Sequence, residues 1–124
     1  MEGMNDFALI VELCPRLRRH LEDHARAGQT VRYRDLAHEA EVPGPHTIHK
    51  TTEALEAIAR ADHAADRPML AALAVGRGND GLPGPGFFQL LRELGRYDGP
   101  DSGEPARIAH AREVNAVVAA YQDG

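Results

Sequence analysis

Apolar residues recur at intervals of three and four along the first quarter of the chain, which places their side chains on one face of a helix. They are Phe7, Ile10, Leu13, Leu17 and Leu21. Asn5-Asp6 supplies a helix cap before this stripe, and Gly28 supplies a stop after it. Pro15 interrupts the stripe, so the pattern predicts either one kinked helix or a pair of helices over residues 1–28.

Shorter elements follow, separated by turn-forming residues. The β-branched segment 30–33 predicts a brief strand, and residues 34–40 predict a short helix. Val42-Pro43-Gly44-Pro45 predicts a turn, after which a longer helix is expected from Pro45 to Ala65. The apolar stripe of this longer helix is expected to face inward and consists of Ile48, Thr51 or Thr52, Leu55 and Ile58.

The second half of the chain is less regular. Residues 69–75 are apolar and predict a buried strand, although periodicity does not separate such a strand from a short core helix. A loop rich in glycine and proline spans Gly76–Gly86, and a helix is expected from Phe87 to Leu94. A linker over residues 97–105 then leads to a C-terminal helix at 106–121.

Together these elements predict one α+β domain, mostly helical, with about five helices around a small two- or three-stranded sheet. A chain of 124 residues is long enough to bury one core but short for two. The sheet is expected to include Val31-Arg32-Tyr33 and Leu70–Val75. The predicted single domain, 1–124, divides into a helix or helix pair at 1–28, a winged-helix-like core at 29–96, the linker at 97–105 and the last helix at 106–121.

Charge is spread evenly along the chain and is slightly acidic. There are 14 Lys and Arg against 19 Asp and Glu, and acidic residues outnumber basic ones in each of the segments 1–28, 29–60, 61–99 and 100–124. This counts against nucleic-acid binding, which usually needs a basic face. No apolar run approaches the ~20 residues of a membrane-spanning helix, and the start lacks a signal-peptide layout, so a cytoplasmic protein with no membrane partner is expected.

Candidate catalytic and metal-binding groups are few. Cys14 is the only cysteine and lies in an apolar run typical of a buried, inert thiol. Two histidine pairs have helical spacing, His20 with His24 and His46 with His49, but neither belongs to a metal-binding motif. We therefore predict a protein that is not an enzyme and has no catalytic residue, no cofactor and no metal ligand.

The glycine-rich loop contains one literal motif. Gly76-x-Gly78-x-x-Gly81 matches the dinucleotide-binding fingerprint and follows a predicted strand. In that fingerprint the third glycine opens a helix, whereas here Leu82-Pro83-Gly84-Pro85 delays the helix. A tight turn is therefore the favoured interpretation, and an enzyme acting through the loop Gly76–Gly86 ranks third among the function hypotheses.

The segment 29–60 is the most informative part of the chain. It resembles the helix-turn-helix opening of winged-helix domains, in particular the Thr-Tyr-x-x-Leu-Ala segment of the DNA alkyltransferase-like family. The matching residues are Tyr33, Leu36 and Ala37. The resemblance implies that the helix from Pro45 takes the DNA-recognition place. Arg34 stands where that family usually has Gly, and its Pro-Cys-His-Arg reactive site is absent, so alkyl transfer is not implied.

These observations favour a non-enzymatic, winged-helix-like DNA-binding module. Its DNA contacts are expected at the exposed start of the recognition helix and on two nearby arginines that could hold phosphates. They are Arg32, Arg34, His46, Thr47, His49 and Lys50. The alternative is a protein-interaction or homodimerisation domain without nucleic acid. A basic patch around Lys50 would favour DNA, whereas an exposed apolar patch would favour a protein partner.

Overall fold

The computed structural model describes residues 2–76 and 81–122, with side chains from Phe7 onward. Its elements, in chain order, are α1 (Glu2–Ala27), β1 (Val31–Arg32), α2 (Tyr33–Glu39), α3 (Thr47–Ala64), a 3₁₀ helix (Leu70–Leu73), β2 (Ala74–Val75), α4 (Pro85–Glu93) and α5 (Gly103–Gln122). The described residues thus form five α-helices and one two-stranded sheet, which confirms the predicted mostly helical α+β class.

The N-terminal apolar stripe forms one continuous helix, α1, and not a pair of helices. Its fully buried residues are Leu13, Leu17, Leu21 and Ala25. Pro15 lies inside α1 on the exposed side and lacks the amide that would bond the Val11 carbonyl. Because Val11 is also exposed, water can satisfy that carbonyl, and the helix need not end at the proline.

The sheet consists of two very short strands. β1 and β2 run parallel, with Val31 opposite Ala74 and Arg32 opposite Val75. Tyr33, predicted to continue the strand, instead opens α2. The strands of a hairpin are antiparallel, so this parallel sheet is not a hairpin. The part of the structure that agrees with the winged-helix resemblance is the order of elements β1, α2, turn and α3.

The prediction of a strand over Leu70–Val75 is wrong for its first four residues. Leu70–Leu73 form the 3₁₀ helix, in which the Ala72 amide donates to the Met69 carbonyl. All four side chains are buried, and the 3₁₀ helix packs against α1, α3 and α5. Burial on every side removes the polar positions that would distinguish a helical period from a strand period.

Helix boundaries differ from the predicted ones by a few residues. α3 begins at Thr47 and not at Pro45, because His46 adopts a left-handed conformation with φ of 60°. The predicted linker 97–105 is shorter than expected, since α5 begins at Gly103. Gly103 has φ of 83°, a conformation that glycine adopts without strain at the entry to the helix.

A buried carboxylate fixes the C-terminal end of α3. Asp62 is fully buried and lies 2.9 Å from Arg18 Nη1 of α1 and 3.1 Å from Arg67 Nε. Its second oxygen accepts the Leu70 amide at 3.3 Å. Because a buried charge is costly unless it is paired and hydrogen-bonded, these contacts tie α3 to α1 and to the 3₁₀ helix.

A second group of polar residues, of which Glu113 and His110 are buried, joins α3 and α5. Arg96 donates to the Glu113 carboxylate at 2.9 and 3.2 Å, and its third nitrogen lies 3.3 Å from His63 Nδ1. His110 Nε2 donates to the Ala72 carbonyl at 2.8 Å, and burial lowers the pKa of His110. In the described part of the chain every buried side-chain nitrogen or oxygen has a hydrogen-bonding partner, so these groups serve the fold.

Candidate binding groove on helix α3

The six residues predicted to contact DNA lie on β1, on α2, in the turn before α3 and in the first turns of α3. Arg32 lies at the end of β1 and lines a polar cleft, whereas Arg34 is exposed on α2. Lys50 is half-buried, and its Nζ donates to the Pro43 carbonyl at 3.2 Å. The ammonium group that was expected to approach DNA therefore holds the preceding turn against α3.

The remaining three candidates lie at the start of α3. His46 precedes the helix, and Thr47 is half-buried, with its carbonyl accepting the Thr51 hydroxyl at 2.8 Å. His49 is exposed and its Nε2 lies 3.1 Å from Glu53. Among the described residues, no side-chain hydrogen bond or ion pair joins any two of the six candidates.

The charges on α3 are mixed. Besides His49 and His63 its basic residues are Lys50 and Arg60, and its exposed acids are Glu53 and Glu56, whereas Asp62 is buried. Glu53 and Glu56 are exposed, so they would meet the phosphates of any duplex laid on this side of the helix. Phosphate neutralisation supplies most non-specific DNA affinity. On this side of α3 the exposed Glu53 and Glu56 carboxylates would repel phosphates instead of neutralising them.

An apolar groove of about 420 Å³, here called the α3–α4 groove, runs between α3 and the start of α4. Its buried lining residues are Leu55, Ala59, Ala71, Phe87 and Leu90. Its exposed lining residues include Ile48, His49, Glu53 and Glu56 of α3. The groove thus combines an apolar interior with a polar and acidic edge, on the helix that the resemblance identified as the functional one.

Local sequence explains why space remains between the two helices. Pro85 starts α4, and a Cβ added at Gly86 would meet no atom within 4 Å, so this part of the groove is open. The Tyr33 hydroxyl accepts the Gly84 amide at 2.9 Å and holds the start of α4 beside α2. Burial raises the pKa of Tyr33, which keeps this hydroxyl neutral.

The exposure of Ile48 differs from the prediction, and this difference matters most for function. The apolar stripe predicted Ile48 to face inward with Thr51, Leu55 and Ile58, and the last three are indeed buried. Ile48 is instead 44% exposed and lies on the α3–α4 groove. It belongs to the first turn of α3, and periodicity alone cannot show that the neighbouring elements leave this turn partly uncovered.

A second and larger cleft, of about 630 Å³, lies over β1 and α2. It is polar and is lined by residues that include His24, Arg32, Asp35, His38 and Glu39. Gly76 and Gly81 also line it, whereas residues 77–80 of the glycine motif lie outside the described residues. The helix after the motif begins only at Pro85, and its start lines the α3–α4 groove and not this cleft.

The histidine pair of α1 faces a carboxylate in this polar cleft. His24 Nε2 lies 2.9 Å from Glu39 Oε1, and His20 Nδ1 lies 3.9 Å from the same oxygen. These contacts join α1 to α2. Among the side chains described, at residues 7–76 and 81–122, no three His, Cys, Asp or Glu are grouped closely enough to hold a metal ion.

Sequence reasoning did not identify the α3–α4 groove. The available signal was Gly84-Pro85-Gly86 before the Phe87-Phe88 pair, since small residues beside aromatic ones leave accessible space. Which helix would line that space depends on contacts between residues distant in sequence. The approach of α4 to α3 was therefore beyond a pattern analysis of either helix.

Comparison with family models, with curated proteins and with solved structures gave no match to the chain. By its fold and its groove the protein is a mostly helical α+β domain with an apolar surface groove. No described helix combines the length with the apolar character needed to cross a bilayer.

Proposed function

We propose that this chain is a protein-interaction module that docks a segment of a partner protein in the α3–α4 groove. The observation that carries the proposal is the apolar groove itself, in which the 44% exposed Ile48 lies beside five buried apolar residues. An exposed apolar surface rimmed by polar residues is typical of an interaction site. The groove volume of about 420 Å³ also falls within the ~300–1,000 Å³ of pockets that bind discrete ligands.

DNA binding, the first expectation from the winged-helix resemblance, has less support. Glu53 and Glu56 are exposed on the helix that would enter DNA, and Lys50 is engaged by the Pro43 carbonyl. Arg32 and Arg34 lie on other elements and add no basic residue to α3. An apolar groove beside acidic residues suits a protein segment better than a phosphate backbone.

The test of docking is a selection from a display library of random short peptides on the wild-type protein. Selected peptides are then titrated against the wild type, Ile48→Asp and Ile108→Asp. Ile108 is the matched control, because it is 52% exposed on α5 and does not line the groove. We expect Ile48→Asp to weaken binding by about tenfold or more, as expected for a central apolar anchor, and Ile108→Asp to leave it unchanged.

Three results would overturn or redirect the proposal. Docking in the groove is rejected if no peptide is selected, or if both aspartate variants weaken binding equally. Low-salt binding of random duplex DNA that Lys50→Glu abolishes would restore the DNA interpretation. A dimer in sedimentation analysis that Ile48→Asp converts to a monomer would identify a second copy of the chain as the occupant.

A further inference from the structure

We infer that the segment held in the α3–α4 groove is basic, with an apolar anchor and Lys or Arg side chains beside it. This inference rests on the proposed function and adds the chemistry of the partner. It depends on the acidic residues at the edge of the groove and on the way in which the nearest cation is already engaged.

The exposed edge on α3 presents two neighbouring carboxylates. Glu53 and Glu56 both line the groove, and their side chains are 53% and 54% exposed. Residues three apart on a helix are surface neighbours, about 5–6 Å apart between Cβ atoms. Two negative charges therefore lie next to each other on the helix that carries Ile48, where a bound segment would pass.

The nearest cation does not cancel this charge. Arg60 donates to Glu56 at 2.9 and 3.1 Å and lies 2.6 Å from the Glu93 carboxylate of α4. One guanidinium is thus shared by two carboxylates, and its hydrogen bond holds the pKa of Glu93 below the usual range, so Glu93 stays ionised near neutral pH. Glu53 lies 3.1 Å from His49 Nε2. Glu53, Glu56 and the adjacent Glu93, which does not itself line the groove, thus face Arg60 and His49, and negative charge remains in excess even when His49 is protonated. A basic partner would neutralise this excess.

The start of α4 does not convert the groove into an anion site. A helix N-terminus favours anions in general, but Pro85 has no amide, the Gly84 amide is bonded to the Tyr33 hydroxyl and the Phe87 amide is bonded to the Gly84 carbonyl. An anionic ligand would also lie close to Glu53 and Glu56. The apolar interior and the acidic edge together select an apolar side chain flanked by cations.

The peptides selected on the wild-type protein are the probe for this inference. We expect them to be enriched in Lys or Arg beside an apolar residue. Replacing those Lys and Arg by Gln in a selected peptide should weaken binding several-fold at low salt, because it removes charges complementary to those at the edge of the groove. The loss should shrink as salt is raised, because salt screens exposed charges. The double variant Glu53→Gln with Glu56→Gln should produce the same loss from the protein side.

Glu12→Gln is the matched control, since Glu12 is an exposed acid of α1 that does not line the groove. General attraction to an acidic protein would make the loss of binding per removed charge equal for Glu12→Gln and for the double variant, and that result would overturn the inference. Peptides that need Ile48 but carry no basic enrichment would also overturn it, while leaving docking in the groove intact. Failure to select any Ile48-dependent peptide would instead reject the proposed function itself.

Discussion

Both halves of α3 contain buried residues, but their isoleucines are covered to very different degrees. In the C-terminal half Ile58 is 1% exposed and Asp62 is held by two arginines. The N-terminal half exposes Ile48 and Glu53 beside a groove. The comparison teaches that one amphipathic helix can supply the fold with one half and a binding surface with the other, although both carry the same apolar period.

The largest expected difference comes from one substitution made in both halves. Ile58→Ala should lower the free energy of unfolding by about 2–5 kcal/mol, because it opens a cavity in the core. Ile48→Ala should cost less than about 1 kcal/mol, since its side chain is already half in water. Urea denaturation of both variants measures the contrast, and equal losses would mean that the two halves are packed alike.

A smaller effect is expected from the buried carboxylate. Asp62→Ala leaves Arg18 and Arg67 without their shared counter-ion and the Leu70 amide without its acceptor. We expect a loss of about 2–4 kcal/mol, below that of a fully buried pair because both arginines are partly exposed.

The control for Asp62 is Glu53→Ala in the N-terminal half, which should change stability by no more than about 0.5 kcal/mol. Thermal and urea melts of the two variants give the comparison. An Asp62→Ala protein as stable as the wild type would show that the buried ion pairs contribute nothing net to the folded state.

The smallest expected effect is a pH dependence of the free energy of unfolding, which arises from the buried His110. Burial lowers the pKa of His110 in the folded protein, so between that value and the unfolded value of about 6.5 the unfolded chain binds more protons. Stability from this group is therefore complete above pH ~6.5 and declines as the pH falls below it. Urea melts of the wild type and His110→Gln at about pH 7.5 and 5.5 measure this, and the variant should lose less stability on acidification.

Elements with a clear period could be predicted, and elements fixed by distant contacts could not. The stripe of Phe7, Ile10, Leu13, Leu17 and Leu21 predicts the buried face of α1 from Leu13 onward, whereas Phe7 is 73% exposed. Leu70–Leu73 was assigned to a strand because a run that is buried on all sides has no polar residue to mark its period. Fold class followed from many such local signals, so one wrong element did not change it.

The candidate site was predicted less well than the fold, for a physical reason. The segment 29–60 drew attention to α3, and the groove lies on that helix. The partial exposure of Ile48 and the nearness of α4 are set by packing between residues far apart in sequence. Asp62, too, appears in the sequence as one more surface acid, and only its contacts with Arg18 and Arg67 explain its burial.

The parallel pairing of β1 and β2 has a consequence for the order of folding. Val31 meets Ala74 only after the chain has passed through α2, α3 and the 3₁₀ helix, so the pairing closes a long loop. Two strands of two residues each form few hydrogen bonds, and these offset little of the chain entropy that is lost when the loop closes. We therefore expect the sheet to form late in folding, once the helices have brought the two strands together.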